Sequence, residues 1–397
     1  MSLMAASARI DVAIVGGGVT GLWTLALAVR RGLAAVLFER TALGDGQTIA
    51  SQGILHAGVK YALPGEAARE ARALGEAARV WDACLSGHGE IDLQTVRILS
   101  TRTHLWTAPE AGARLAARGA AAVFRSSVRR LRGTEVPSAF ASAPRGVEVY
   151  EADERVIEPA DLVRALAAAG EERVCQVDEA RLEPAASDSW ACVVRFGDEM
   201  VSVQAASVVL AAGDRNAALL AGITAADSTM QRRPLHQVMI DRAPVRVFGH
   251  CVGLSGVPRL TVTSASWQDR TVWYLGGGIA ESGVDLSASE QVDRAKSELA
   301  ACLPWLDLRE ARWATLRIDR AEGRMAGRKR PESFIVRRFG NVSAVWPTKL
   351  ALAPLAAAEV AASWHDAGTN ADVRALQGRD VPPVARPPWE RPDVEWR

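Results

Sequence analysis

The residues whose types and spacing most plainly suit chemistry are Gly16, Gly17, Gly18, Val19, Thr20 and Gly21. They follow the apolar run Ile10 to Val15 and precede Leu22, Leu25, Ala26 and Val29 at helical spacing. The pattern predicts a strand, a tight turn and a helix. In such a unit Gly16 permits the turn, Gly18 lets the backbone approach a pyrophosphate, and Gly21 lets the helix pack closely on the strand. The helix N-terminus then offers N–H groups and a partial positive charge to phosphates. A second apolar run, Ala35 to Phe38, ends in Glu39, roughly 20 residues further on, where a carboxylate can accept hydrogen bonds from a ribose diol; Arg40 follows it. An acid at that place disfavours a 2′-phosphate and so NADP. The unit alone does not separate FAD from NAD.

A chain of 397 residues exceeds one ordinary core and predicts more than one domain. With 49% hydrophobic and 23% charged residues the composition is that of a globular protein. The 47 basic and 46 acidic side chains leave a net charge of +1, which implies neither nucleic acid nor an anionic membrane surface as a partner. Cys84, Cys175, Cys192, Cys251 and Cys302 form no C-x-x-C pair, which fits a reducing compartment and gives no zinc site. No window has the apolar length of a signal peptide or a transmembrane segment, so the cytoplasm is the expected location.

Residues 41–66 form a polar, Gly-rich stretch ahead of an Ala-rich helix expected from about Glu66 to Leu85. Long loops of this kind are usually functional. The segment Gln52-Gly53-Ile54-Leu55-His56-Ala57-Gly58-Val59-Lys60-Tyr61 resembles the D-amino-acid-oxidase superfamily of FAD enzymes. It is most similar to the branch with L-2-hydroxyglutarate and glycerol-3-phosphate dehydrogenases. The resemblance implies that Thr48, Ala50, Ser51, Gln52 and Gly53 run along the flavin and its pyrophosphate. It also implies a return of the chain to the cofactor at Ala212-Gly213, after the buried run Ala206 to Leu210, with Ala180 nearby. An NAD domain would instead be contiguous.

The expected architecture is α/β. A Rossmann-like FAD-binding domain, a parallel sheet with helices and a β-meander, takes residues 1–92, 151–230 and 311–375. A smaller α+β substrate domain with an antiparallel sheet takes 93–150 and 231–310, and 376–397 form a Pro-rich tail that is extended or disordered. Residues 93–150 read as β-rich, with a helix around Pro109 to Val123. Residues 190–205 alternate about a Gly-Asp turn as a hairpin, and Ser287-x-x-Glu290 is a capping box. Gly276-Gly277-Gly278 reads as a strand end, not a second nucleotide turn.

In the last third, Arg317 lies in Trp313-Ala314-Thr315-Leu316-Arg317, which looks like the element whose arginine grips the substrate's acid group in this superfamily. The turn Pro347-Thr348-Lys349-Leu350 resembles the one that sets backbone N–H groups against the flavin pyrimidine. Lys60, Tyr61, Arg317 and Lys349 are thus the expected substrate-binding groups, and His56 and His236 the candidate bases. These readings imply oxidation of a small anionic amino or hydroxy acid by hydride transfer to flavin N5. Oxygen or a quinone would accept the electrons. A glycerol-3-phosphate-like dehydrogenase and a non-redox FAD- or NAD-binding module stay open as alternatives.

Overall fold

From Ile10 onward the first strand, Ala6–Val15, is buried on both faces, as an unbroken run of β-branched and small apolar residues requires. In the computed structural model, which describes residues 6–56, 66–109, 128–186, 189–224, 229–252, 258–328, 331, 333–364 and 371–397, this strand is the centre of an eight-stranded sheet. It pairs in parallel with Ala35–Glu39 on one side and with Glu199–Leu210 on the other. Val174–Gln176 and Val342–Trp346 extend the parallel order outward. Glu179–Pro184, Trp190–Phe196 and the start of Glu199–Leu210 form the antiparallel meander.

Helices Val19–Arg30, Glu66–Leu85, Pro159–Ala168 and Ala353–Ala361 cover one face, burying Leu22, Trp81, Leu162 and Val360 in one cluster. Close approach dictates the glycines of the first turn. Gly16 has φ +109°, and a Cβ there would stand 2.6 Å from Ala212 Cα. At Gly21 a Cβ would fall 1.9 Å from the carbonyl oxygen of Gly16. That packing role is the one the spacing predicts.

A second eight-stranded sheet runs in the order Arg312–Gly323, Met230–Asp241, Arg270–Gly276, Leu260–Trp267, Gly249–Val252, Thr103–Thr107, Val149–Ala152 and Val128–Arg130. All its pairings are antiparallel except that of Gly249–Val252 with Thr103–Thr107. One face packs on helix Ala288–Cys302, whose Ser287–Glu290 capping box is formed. The segment Arg312–Gly323, expected beside the flavin domain, pairs along its whole length with Met230–Asp241 and belongs to this sheet. Its alternating side chains fit a long antiparallel partner better than a return to the parallel sheet. A three-stranded sheet of Ile54–Leu55, Arg155–Ile157 and Ile98–Ser100 lies apart from both larger ones.

Further differences are local. Gly276 ends its strand as expected, but the short helix Gly278–Ser282 follows at once. The C-terminal tail is extended yet packed. Leu43 and residues 383–385 exchange backbone hydrogen bonds, Trp313 and Arg397 pair through both their N–H groups, and Trp389 is buried. Tryptophans at Trp389 and Trp396 supply the apolar surface that prolines alone would lack. The helix expected around Pro109 to Val123 lies almost wholly outside the described residues. No helix among the described residues is long and apolar enough to cross a membrane.

Candidate active site

A cavity of about 690 Å³ opens where the Gly-rich turn, the loop 45–56, the strand ends at Ala211–Gly213 and Trp346–Leu350, and the second sheet converge. Segments far apart in sequence share this one space. Glu39 stands at its edge with its carboxylate already oriented. Oε2 accepts the Gly17 N–H at 2.7 Å and Oε1 accepts the Arg40 and Thr41 N–H groups at 2.7 and 2.9 Å. Thr48 Oγ1 accepts the Val19 N–H at 3.0 Å, which ties the loop to the start of the first helix.

Thr20, Ser51 and Thr348 all border the cavity, and their hydroxyls are buried with no hydrogen-bond partner among the described residues. Buried hydroxyls left so are costly unless a ligand satisfies them. Thr348 also holds φ at +60°, a conformation that β-branched residues rarely adopt and that clusters at ligand sites. A glycine cradle, a helix N-terminus, a poised carboxylate and unsatisfied hydroxyls together suit a dinucleotide with its pyrophosphate.

Opposite lies the second sheet. Gln52 reaches across, its Nε2 donating to the carbonyl of Tyr274 at 2.8 Å, and the Tyr274 hydroxyl donates to Gln237 Oε1 at 2.5 Å. Strand parity puts Leu316, Ile318 and Arg320 on alternate positions opposite Gln237, Leu235 and Arg233. Arg320 borders the cavity and donates to Glu281 Oε1 at 3.1 Å, while its buried Nε has no partner among the described residues. Burial, then the neighbouring Arg233 charge, holds the Arg320 guanidinium below its ordinary value. The Glu281 and Glu322 carboxylates offset only part of that penalty.

Arg317, the expected acid-gripping residue, borders the cavity, but its guanidinium donates to the carbonyls of Val284 and Leu286. His236, its cross-strand partner, is buried and bonds Gly283 O through Nδ1 at 2.9 Å. Burial lowers its pKa. It does not border the cavity, so the base expected at His236 is instead a structural histidine.

His56 does border the cavity. Its Nδ1 is 3.2 Å from Oε1 of Glu154, a buried carboxylate whose Oε2 accepts the Thr103 hydroxyl at 3.1 Å. His250 stacks near it, ring centroids 6.1 Å apart, with Nε2 3.9 Å from Glu154 Oε2.

Of the other expected residues, Gly16, Gly18, Val19, Thr20, Glu39, Thr48, Ala50, Ser51, Gln52, Gly53, Ala212, Gly213, Pro347, Thr348, Lys349 and Leu350 border the cavity. Gly21 packs behind the turn. Arg40 contributes its N–H to Glu39, and Ala180 sits in the meander opposite Val194, beside a separate core and not on the cavity. The cofactor contact expected at Ala180 is instead a strand-packing position. Lys60 and Tyr61 lie outside the described residues. Arg320, Gln237, Glu154 and His250 carried no motif, yet the alternation of Leu316, Ile318 and Arg320 was a signal for the first of them.

Residues 11–362 match the model of a family described as FAD dependent oxidoreductase. The chain is 39% identical over 391 residues to the probable FAD-dependent oxidoreductase PA4991 of Pseudomonas aeruginosa, covering 96% of this chain and 97% of that protein. The crystal structure of PA4991 superposes with a TM-score of 0.82 over 98% of each chain. Glycine oxidase from Geobacillus kaustophilus shares the fold at 18% identity, with a TM-score of 0.67 over 93% of this chain and 98% of its own. L-α-glycerophosphate oxidase from Mycoplasma pneumoniae, solved with FAD bound, gives 13% identity and a TM-score of 0.63 over 89% of this chain and 94% of its own.

Proposed function

Because this chain belongs to the FAD dependent oxidoreductase family and is an FAD-dependent oxidoreductase, we propose that it oxidises a small anionic amino or hydroxy acid by hydride transfer to flavin N5. The observation that carries this reading is Arg320, a partly buried cavity-lining arginine with one N–H that has no partner among the described residues. A planar fork of that kind suits a carboxylate, with Lys349 adding positive charge from the opposite loop. Leu235, Leu316 and Ile318 give the acid's carbon skeleton an apolar wall.

FAD, when bound, supplies the acceptor for the α-hydrogen and its two electrons. Glu39 and Thr48 fix the Gly-rich turn that would hold its pyrophosphate and ribose, and the hydroxyls of Ser51 and Thr348 would complete their hydrogen bonds to it. For a hydroxy acid the O–H proton leaves for His56, and the product is a keto acid. For an amino acid bound as the neutral amine, no base is needed in that step.

A glycerol-3-phosphate-like substrate is the second reading. A stretch of 61 residues is 43% identical to one of the subunits of anaerobic glycerol-3-phosphate dehydrogenase from Escherichia coli, although it covers only 15% of this chain and 11% of that protein. Arg320 would then meet a phosphate.

Titration of the oxidised holoenzyme with small carboxylates, phosphates and their uncharged amides tests the reading. Anions that perturb the flavin spectrum saturably, with amides that do not, are expected. Equal perturbation by both would overturn it.

A further inference from the structure

The crossing of three strands buries a carboxylate beside the cavity. Glu154 sits in the turn between Val149–Ala152 and Arg155–Ile157, its N–H bonded to the Ala152 carbonyl at 2.9 Å. Thr103 stands opposite Ala152 on the next strand, and Gly249–Val252 runs parallel beyond it, bringing His250 into the cluster. That approach is possible because Gly249 has φ +152°, where a Cβ would lie 1.9 Å from the His104 carbonyl oxygen. Ile54–Leu55 pairs with Arg155–Ile157 and delivers His56 from the cavity side. The Glu154 side chain is 2% exposed and that of His56 23%.

We propose that Glu154 is the positioning residue that makes His56 Nε2 the basic nitrogen at the cavity. This rests on the reading of His56 as the base above. An ionised carboxylate only accepts hydrogen bonds. Oε2 takes the Thr103 hydroxyl and Oε1 takes the proton on His56 Nδ1. The neutral imidazole is thereby fixed with its hydrogen on Nδ1 and its lone pair on Nε2. When Nε2 accepts the substrate's hydroxyl proton, the new imidazolium forms against a carboxylate shielded from water, so the positive charge is neutralised where it appears.

Other groups facing the cluster leave this assignment in place. His250 Nδ1 is 2.8 Å from Thr261 Oγ1 and so has its own partner. Arg155 is paired with Asp82 and Arg102 with Asp153, in each case with exposed carboxylates. His104 points to Phe140, ring centroids 6.2 Å apart.

One ligand atom from each of His56, Glu154 and His250 lies within 4.8 Å of the others, close enough to hold a divalent cation. The two uses make opposite demands on Nδ1. A proton there is required by the positioning role and forbidden by a metal bond.

Long-range proton–nitrogen NMR of histidine-labelled holoenzyme, with His56 assigned by its absence from His56→Gln, reads the tautomer in the unaltered protein. The Nδ1–H form is expected, and the Nε2–H form would overturn the proposal. In Glu154→Gln the tautomer should become mixed. The acidic limb of the pH profile for anaerobic flavin reduction should move down by on the order of one pH unit, since the neighbouring negative charge is lost. An unmoved limb with an unmoved tautomer overturns it, as does a stoichiometric metal whose chelation abolishes activity and whose return restores it. An unchanged reduction rate in His56→Ala strikes instead at His56 as base, whatever its tautomer.

Discussion

Arg317 and Arg320 lie on one strand but on opposite parities. Arg317 donates to the carbonyls of Val284 and Leu286, whereas Arg320 meets Glu281 and has a buried Nε with no partner among the described residues. A hydrogen bond to a charged group is worth about 1.5–3 kcal/mol. Arg320→Met should therefore raise KM for the acid substrate by roughly 10–150-fold. Arg317→Met should change it by much less. Steady-state kinetics of the pair check the assignment, and the reverse ranking would return the role to Arg317.

Glu39 holds the Gly17 N–H at 2.7 Å and faces the space where a ribose would lie. Glu39→Gln keeps the size and loses the charge, so FAD affinity should fall by about tenfold, on the order of the weaker charge-assisted bonds. Fluorescence quenching during FAD titration of stripped protein measures it.

His236 is buried and its pKa is held below the ordinary 6.5, by burial first and by the Arg317 charge, against the opposing bond to Gly283 O. A base depressed on folding adds stability above its unfolded value, and that stability drains as pH falls below about 6.5 toward the folded value. His236→Gln should flatten the fall in melting temperature between neutral pH and pH about 5. Because the ring does not reach the cavity, flavin reduction should keep nearly its full rate. Melting curves across pH, with stopped-flow rates at neutral pH, check both halves.

Trp389 is 7% exposed and packs with Tyr274, ring centroids 6.1 Å apart, in the cluster that includes Ala50. Trp389→Ala should cost about 3–5 kcal/mol by the usual scale for a buried aromatic. Chemical denaturation of the holoenzyme measures the loss. Removing residues 386–397 should do at least as much, because the Trp313–Arg397 backbone pairs go too.

What the sequence made legible follows from how local each signal is. The Gly-rich turn, Glu39 and the loop 48–53 are short-range patterns in which backbone geometry dictates residue type, and they border one cavity. A motif names Arg317, which borders the cavity, whereas strand alternation sets Arg320 in step with Leu316 and Ile318. Glu154 and His250 come from strands remote from His56, and their meeting depends on pairings that no local periodicity encodes. The prolines of the tail predict an extended chain, while its tryptophans, with Trp396 stacked on Trp267, decide that it packs.

The central claim is that an anionic acid reduces the flavin in this cavity. Anaerobic mixing of the purified yellow protein with a panel of amino acids, 2-hydroxy acids and glycerol phosphate, followed by loss of the flavin's visible absorbance, measures it most directly. The account predicts that at least one small acid bleaches the flavin at a saturable rate that is lowered in His56→Ala for a hydroxy acid and shifted to higher concentration in Arg320→Met. A flavin that no member of the panel reduces, or that uncharged analogues reduce equally well, would contradict it.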